Sequence, residues 1–220
     1  MEPFGVIIPH QPGPRDFFLP HAIMQISRQS LKPDVIIIES EPPKTDEIDL
    51  VPRIWQALRK MQEVSIDWVF IIENDDYYPD TYFADMYRPG YDIIGIPTTI
   101  YYHLGQRAWK EMEHWDRSSL FCTSFRISAF KKFLPDPKTA FLDIDLWKFA
   151  DMEGLVTRMT IPAKLPVGIK HGIGNCGGSG HSMNFPYDNP DMLGKALPVF
   201  IEREESLEFY KKIQRTCMQK

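Results

Sequence analysis

The chain has 220 residues, of which 43% are hydrophobic, and this is enough apolar material for one sizeable core. Its formal net charge of −5 argues against a broad nucleic-acid-binding face, which would be basic. The cysteines Cys122, Cys176 and Cys217 lie far apart without CxxC spacing, which argues against a zinc site or disulfide framework and favours a reducing compartment. The sequence shows no signal-peptide pattern and no apolar run long enough to span a membrane, so we expect a cytoplasmic protein with no membrane partner.

The first half of the chain alternates short apolar runs with segments of helical periodicity. Phe4 to Pro9, Asp34 to Ser40 and Trp68 to Ile72 are rich in β-branched and aromatic residues, which is typical of strands buried on both faces. Helices are predicted between them, over residues 15–30 and from Pro52 to about Glu63. This β-α-β-α-β order predicts an α/β protein with a parallel sheet and right-handed crossovers.

The second half has a weaker pattern, and no repeat or linker divides it from the first, so we predict one domain over residues 1–220. The predicted elements are a strand over 91–99 that 100–103 prolong or pair with, a short helix or loop over 107–116, a strand over 119–127, a helix over 141–150 and a strand over 157–165. Residues 201–220 are predicted to form an amphipathic helix that buries Leu207, Tyr210, Ile213 and Cys217.

A cluster of acidic residues follows the third apolar run without a break. Glu73, Asn74, Asp75 and Asp76 come directly after Ile72. Carboxylates this close repel one another, and hard ions such as Mg²⁺ or Mn²⁺ neutralise such a group through oxygen ligands. In open α/β sheets, ligands bind beyond the carboxyl ends of the strands. The cluster is therefore a candidate metal and ligand site, and the alternative is a solvated turn that caps the next helix.

Several stretches, taken in their order, resemble the GT-A fold glycosyltransferases of the family-2 kind. They are VIIPHQ in the first strand, RQSLKPDVIII and IIIESE around the second, FIIENDDYYP at the third, and FLDIDLW ahead of a helix, so the resemblance covers roughly residues 5–150. It implies a single GT-A domain, similar to nucleotide-diphospho-sugar transferases, with a mostly parallel central sheet flanked by helices. Residues 1–100 then form the nucleotide-sugar-binding half, 101–200 the acceptor half and 201–220 a C-terminal helix.

The resemblance also implies a donor site and a metal. The donor-binding positions that it implies follow the first three strands and are Pro9, His10, Gln11, Glu39, Glu73, Asn74 and Asp75. Asp75 or Asp76 then contacts a Mn²⁺ or Mg²⁺ cofactor, which stabilises the negative charge that develops on the departing diphosphate. The favoured donor is a UDP-sugar.

The resemblance places the catalytic base in the acidic motif FLDIDLW. The acceptor hydroxyl must lose a proton to a positioned carboxylate or histidine. Alignment puts Asp143 at the family's base position, and Asp145 is the alternative. A side-chain base without a covalent nucleophile favours direct displacement, with inversion at the sugar carbon. Capping of the following helix is the structural alternative for both aspartates.

A glycine-rich segment, residues 171–181, holds five of the chain's 13 glycines. Gly172 to Gly177 match GxGxxG, but neither a helical pattern nor an acidic residue at the expected spacing follows, so a dinucleotide site is rejected. We predict a mobile lid over Gly172 to Gly180 whose backbone N–H groups approach a diphosphate. In GT-A enzymes a histidine from this region often completes the metal shell, so His171 and His181 are candidate ligands, with a structural role as the alternative.

A group of aromatic residues lies early in the predicted acceptor half. Aromatic faces stack on sugars and bases, and burial in a core is the alternative role for such side chains. The candidate acceptor-binding residues are Tyr101, Tyr102, His103 and Trp109.

Three functions fit these features. The first is a metal-dependent, inverting hexosyl- or pentosyltransferase that moves a sugar from a nucleotide-diphosphate donor to a glycan, a small molecule or a modified DNA base, so nucleic acid is expected only as an acceptor. The second is a nucleotidyltransferase on a related fold, although the loop from His10 to Arg15 lacks the expected glycine-rich character. The third is a non-catalytic nucleotide-sugar-binding module, against which the intact acidic cluster and candidate base argue.

Overall fold

The computed structural model describes residues 2–41, 49–173 and 179–218. The strands in these ranges are β1 (Phe4–Pro9), β2 (Val35–Glu39), β3 (Trp68–Ile71), β4 (Ile93–Gly95), β5 (Thr98–His103), β6 (Ala108–Glu113), β7 (Thr123–Arg126), β8 (Thr157–Met159), β9 (Val167–Lys170) and β10 (Asn189–Pro190). The α-helices are α1 (Phe18–Arg28), α2 (Leu50–Glu63), α3 (Tyr82–Met86), α4 (Leu142–Met152), α5 (Ala196–Phe200) and α6 (Glu204–Cys217). Within the described ranges, no helix has the length and apolar character needed to cross a membrane.

The central sheet has six strands in the order β2-β1-β3-β7-β4-β8. β1 pairs in parallel with both β2 and β3, as the β-α-β-α-β order predicts, and α1 and α2 lie in the two crossovers. β7 lies antiparallel between β3 and β4, and β8 is parallel to β4. The predicted α/β class, with a mostly parallel central sheet flanked by helices, is confirmed.

Both faces of β1 and β3 are covered, which explains their unbroken apolar sequences. On one face, Ile7 and Val69 pack with apolar residues of α2 and α4. On the other face, Val6 and Phe70 pack with residues of α1 and α3. This double cover fixes the positions of the two strands, and the loops that follow them therefore start from a rigid edge.

The second strand departs from the prediction of burial on both faces. Val35 and Ile37 pack against the cluster that contains α2, whereas Ile36 is 42% exposed and Ile38 is 37% exposed. β2 is the edge strand of the sheet, and the helices that cover β1 and β3 cover only one of its faces.

A second sheet, ordered β10-β6-β5-β9, was not predicted. The predicted strand over 91–99 divides near Pro97, which has no N–H for a ladder, into β4 of the central sheet and β5 of the second. The prediction of a helix or loop over 107–116 is wrong, because this stretch contains β6, which pairs antiparallel with β5. The predicted strand over 157–165 ends at Met159, and β9 follows from Val167 to Lys170 in parallel with β5.

β4 ends at a position where no side chain fits. A Cβ atom on Gly95 would lie 2.4 Å from the Ser118 Cβ and 2.5 Å from the Trp147 ring, and both neighbours are buried. Gly95→Ala is therefore expected to lower the free energy of unfolding by about 1–3 kcal/mol, the usual cost of overpacking. Urea unfolding measures this loss. Gly5→Ala is the control, because its Cβ would meet the flexible end of the Met61 side chain; a loss at Gly5 as large as that at Gly95 would contradict the argument.

Candidate active site

A cavity of about 630 Å³ lies beyond the carboxyl ends of β1 and β3, where open α/β sheets bind their ligands. Its walls come from the loops after these strands, from β5 and β6, from the start of α4 and from the end of β9. Eight residues predicted for the site line it: Pro9, Gln11, Glu73, Asn74, Asp75, Tyr101, Asp143 and His181. The structure thus brings residues from both predicted halves to one place.

The acidic cluster converges because the chain turns sharply after β3. The Asp76 N–H donates to the Glu73 carbonyl at 3.2 Å, and the Glu73 N–H donates to the Tyr78 hydroxyl at 3.0 Å. Glu73, Asp75 and Asp76 each offer a carboxylate oxygen, and these oxygens lie within 4.8 Å of one another. Among the described residues this is the one group of three or more acidic, histidine or cysteine side chains with metal-ligand spacing.

Asp75 is the member of the cluster whose pKa is lowered. Its Oδ2 accepts hydrogen bonds from Arg15 Nη2 at 2.6 Å and from His171 Nε2 at 3.0 Å. Burial alone would raise the pKa of Asp75, but the Arg15 guanidinium and the His171 hydrogen bond hold this pKa well below its ordinary value. The other oxygen, Oδ1, is buried without a hydrogen-bond partner in the described part of the chain.

The other two carboxylates are pushed toward the protonated form. Burial raises the pKa of Glu73 to about 6, although the Lys170 charge opposes this rise. Burial also raises the pKa of Asp76 well above its ordinary value, and its Oδ1 accepts the Ile169 N–H at 2.7 Å. The protein alone therefore does not stabilise three ionised carboxylates at this point.

The cluster fits a divalent cation of the Mg²⁺ or Mn²⁺ type. All of its donor atoms are carboxylate oxygens, which these hard ions prefer. Two of the oxygens, Asp75 Oδ1 and Asp76 Oδ2, are buried and have no hydrogen-bond partner among the described residues. Buried polar atoms normally find a partner, so these two oxygens are the atoms best suited to receive an ion.

Lys170, at the end of β9, brings a second positive charge to the cavity. Its Nζ lies 5.3 Å from the centroid of the Tyr101 ring, a cation–π distance. Burial alone would lower the pKa of Lys170, but the carboxylates of Asp76 and Glu73 raise it, so this side chain is charged. Among the described residues, no carboxylate forms an ion pair with Lys170. The Lys170 side chain lines the cavity, and its positive charge faces it.

The two histidines predicted as metal ligands differ in position. His171 is buried outside the cavity lining, its Nε2 contacts Asp75, and its Nδ1 accepts the Ile173 N–H at 2.9 Å, so both ring nitrogens are used. His181 lines the cavity, and its Nδ1 accepts the His171 N–H at 3.3 Å. Burial lowers the pKa of His181 to about 2, so its ring is neutral. His171 therefore orients Asp75, and neither histidine belongs to the carboxylate cluster.

His10 and Glu39, predicted to bind the donor, are buried and do not line the cavity. The His10 Nδ1 accepts a hydrogen bond from the Asn74 side chain at 2.8 Å, which fixes Asn74 against the loop after β1. Glu39 Oε2 accepts a hydrogen bond from Lys60 at 2.7 Å behind that loop. The polar atoms of both side chains form hydrogen bonds with other protein groups, so these residues support the wall of the site.

Asp143 and Asp145 lie in the first turn of α4 and face different directions. Asp143 lines the cavity and forms an ion pair with Arg117, whereas Asp145 is not part of the cavity lining. Burial raises the pKa of Asp143 above its ordinary value, although Arg117 lowers it. The structure therefore brings Asp143, and not Asp145, to the position where a ligand would meet it.

Of the four predicted acceptor residues, Tyr101 alone lines the cavity. Its hydroxyl lies 2.6 Å from Ser119 Oγ, which fixes the ring. Tyr102 is the next residue of the strand and points to the opposite face, into the core between β5 and α6. His103 is fully buried, and Trp109 packs against the same core between β5 and α6. The predicted wall of four aromatic residues is therefore reduced to one.

No protein-family model and no curated protein matches this sequence. Among solved structures, it is similar to S. aureus TarS 1-349 in complex with UDP-GlcNAc, with a TM-score of 0.50 and 9% identity over 98% of this chain and 70% of that chain. Further matches are S. aureus TarS (TM-score 0.45, 10% identity, 77% of this chain and 37% of that chain) and a glycosyltransferase involved in the glycosylation of the major capsid of PBCV-1 (TM-score 0.39, 13% identity, 68% and 67%). At 9% identity the likeness to TarS 1-349 shows the fold alone, and it confirms the predicted fold.

Sequence reasoning missed six charged residues that line the cavity, which are Arg15, Asp49, Arg53, Lys110, Arg117 and Lys170. Arg15 lies in the polar loop after the first strand, and Lys170 directly precedes the candidate histidine His171. Their positions beside predicted site segments were therefore a weak indication that both belong to the site. Arg117 had no signal, because its partner Asp143 lies 26 residues away in sequence.

The predicted lid falls largely outside the described residues. Residues 174–178 of the Gly172–Gly180 segment are not described. Gly180 and His181, which follow this gap, line the cavity together with Tyr187. The lid stays a prediction.

Proposed function

We propose that this protein is a metal-dependent, inverting glycosyltransferase that uses a nucleotide-diphosphate sugar, with a UDP-sugar favoured. One observation carries the proposal: a single cavity joins Glu73 and Asp75 of the acidic cluster, the positively charged Arg15 and Lys170, and Asp143, and the third carboxylate of the cluster, Asp76, is buried directly behind them. Sugar transfer from a diphosphate needs these three kinds of group. The similar TarS structure contains UDP-GlcNAc, which supports a UDP-sugar as donor.

Binding of the donor diphosphate is the first requirement. Carboxylates alone would repel a diphosphate, and cations alone would not hold a divalent ion. In this cavity Arg15 and Lys170 lie beside Glu73 and Asp75, so it suits an ion and a diphosphate together. Glu73, Asp75 and Asp76 would hold Mn²⁺ or Mg²⁺, which as a Lewis acid supplies charge stabilisation for the leaving diphosphate.

Proton removal from the acceptor is the second requirement, and we assign it to Asp143. A buried carboxylate with a raised pKa is a better base than an ordinary aspartate, and the ion pair with Arg117 orients it. Asp143 accepts the hydroxyl proton as the acceptor oxygen bonds to the anomeric carbon and the bond from that carbon to the diphosphate oxygen breaks. Because this single displacement attacks the face of the anomeric carbon opposite the departing diphosphate, the anomeric configuration inverts.

The acceptor is expected on the wall that β5 and β6 provide. Lys110 and Met112 alternate along β6 and line the cavity beside Tyr101. His114 follows them and bonds Ser119 at 3.0 Å, so this wall is polar as well as aromatic. Such a surface suits a hydroxyl-bearing acceptor, which is a glycan, a small molecule or a modified DNA base.

A nucleotidyltransferase is the second candidate, and the position of Arg15 favours it. Such enzymes use a basic residue in the loop after the first strand, and Arg15 lies in that loop and contacts Asp75. Asp143 would have no task in this reaction, because attack by a phosphate group on a nucleoside triphosphate requires no base. Glycosyl transfer uses both residues and is therefore the first choice.

The two candidates release different products. Purified protein would be incubated with UDP-sugars, Mn²⁺ and a panel of hydroxyl acceptors, and in parallel with nucleoside triphosphates, sugar 1-phosphates and Mn²⁺. Release of UDP that EDTA abolishes is the expected result, and release of pyrophosphate in the parallel reaction would overturn the proposal in favour of a nucleotidyltransferase. Tight binding of UDP-sugar without either product would identify a non-catalytic binding module.

A further inference from the structure

Arg15 makes a direct contact with the acidic cluster. Its Nη2 lies 2.6 Å from Asp75 Oδ2 and 3.3 Å from Asn74 Oδ1. The Arg15 side chain is 16% exposed and the Asp75 side chain is 3% exposed, so water screens this ion pair poorly. A positive charge thus lies within the cluster that fits a divalent cation.

A divalent cation that approaches the unpartnered Oδ1 of Asp75 meets the Arg15 guanidinium on the other oxygen of the same carboxylate. Oδ2 already accepts hydrogen bonds from Arg15 and His171, and the guanidinium repels a second cation at short range. The ion therefore binds well only if the guanidinium moves away or its charge is neutralised.

A diphosphate supplies that neutralising partner. Guanidinium groups bind phosphate oxygens in a bidentate manner, and these charge-assisted hydrogen bonds are among the strongest in proteins. The backbone that carries Arg15 is held in place, because Asp16 accepts the Gly13 N–H at 2.8 Å and contacts His10 at 3.1 Å. A change of partner therefore requires the long Arg15 side chain to swing, while its loop stays fixed.

We propose that Arg15 couples metal binding to donor binding. Without a nucleotide, its guanidinium occupies Asp75 and keeps the affinity for a divalent ion low. When a nucleoside diphosphate enters, the guanidinium transfers to the phosphate oxygens, and its repulsion of an ion at Asp75 is removed. The inference rests on the proposed function only for its two ligands, a divalent ion and a nucleoside diphosphate, and it adds an order to their binding.

The test compares Mn²⁺ affinity with and without UDP, by the electron paramagnetic resonance signal of free Mn²⁺. In the wild type we expect UDP to tighten Mn²⁺ binding by a factor in the usual range for coupled sites, about 5–150-fold. In Arg15→Gln we expect Mn²⁺ alone to bind about 5-fold tighter or more than in the wild type, and the effect of UDP to shrink by a similar factor. Weaker or unchanged Mn²⁺ binding by Arg15→Gln without UDP would overturn the proposal.

Lys110→Gln is the matched control. Lys110 also lines the cavity, but its ion pair is with Asp188 at 3.0 Å, away from the acidic cluster. Its loss should leave the affinity for Mn²⁺ unchanged. An equal gain in Mn²⁺ affinity in Arg15→Gln and Lys110→Gln would mean a general charge effect and would also overturn the proposal.

Arg15→Lys keeps the test decisive if Arg15→Gln does not fold. Lysine retains the positive charge beside buried Asp75 but lacks the planar fork for phosphate. We expect this variant to bind Mn²⁺ alone as weakly as the wild type and to show a smaller effect of UDP; an undiminished effect would refute the coupling. None of these measurements needs turnover, so a protein that shows the coupling but transfers no sugar would refute the proposed function alone.

Discussion

Asp143→Asn is expected to reduce the rate of sugar transfer by about 10²-fold or more, the usual scale for the loss of a general base. Asparagine has the size of aspartate and suits the first turn of a helix, but it accepts no proton at neutral pH. Donor binding should survive, because the acidic cluster and the positively charged side chains of Arg15 and Lys170 are unchanged. Single-turnover transfer rates and calorimetric titration with UDP and Mn²⁺ measure the two effects separately.

Asp145→Asn is the matched control for this experiment. Asp145 lies two residues further along the same helical turn, but it does not line the cavity. Its replacement should leave the transfer rate within a few-fold of wild type. If Asp145→Asn is the inactive variant and Asp143→Asn retains activity, the base is misassigned.

The pH dependence of the wild type gives a second check on Asp143. The base works when ionised, and burial raises its pKa above the ordinary value of 3.8. The rate should therefore fall as the pH is lowered through this raised pKa, so the acid limb of the profile should lie above pH 3.8. The contribution of Asp143 to that limb should be absent from the residual activity of Asp143→Asn, and any acid limb that remains belongs to the cluster, where burial raises the pKa of Glu73 to about 6.

The parallel half of the fold could be predicted because its signal is local. β1 and β3 are continuous apolar runs, and each ends in polar residues that mark the carboxyl edge of the sheet. The second sheet could not be predicted in the same way. The segment Ala108–Glu113 carries charges at Lys110, Glu111 and Glu113, and its strand conformation comes from pairing with β5 rather than from its own composition.

The site was predicted where its residues adjoin a strand end and missed where they meet only in space. Glu73 and Asp75 follow β3 directly, so sequence order alone places them at the edge of the sheet. Arg15 reaches Asp75 across 60 residues, and no periodicity encodes that contact. For Tyr101 and Tyr102 the alternation of a strand shows that the two face opposite sides, but the side that faces the cavity depends on which sheet β5 joins.

Asp75→Asn is expected to remove most of the metal-dependent activity. The amide keeps the size of the side chain but offers a neutral oxygen, and it loses the charge that attracts a divalent ion to the cluster. A loss of about 3 kcal/mol of charge stabilisation in the transition state corresponds to about a 10²-fold slower transfer. The measurement is the rate of UDP release as Mn²⁺ is titrated, and a variant with unchanged Mn²⁺ dependence would contradict a role for Asp75 in metal binding.

This variant also loses a buried ion pair, and the experiment has to separate that effect from catalysis. Arg15 would face an amide in place of a carboxylate, so we expect the midpoint of thermal unfolding to fall as well. Asp191→Asn is the control, since Asp191 is also a buried carboxylate and accepts hydrogen bonds from the Tyr102 hydroxyl at 2.9 Å and the Lys195 N–H at 2.7 Å, outside the cavity. It should lower the midpoint without changing the Mn²⁺ dependence. Loss of Mn²⁺-dependent UDP release in Asp75→Asn at temperatures where both variants are folded then assigns the metal to this cluster, because burial and hydrogen bonding are disturbed in both variants and the cluster is changed in only one.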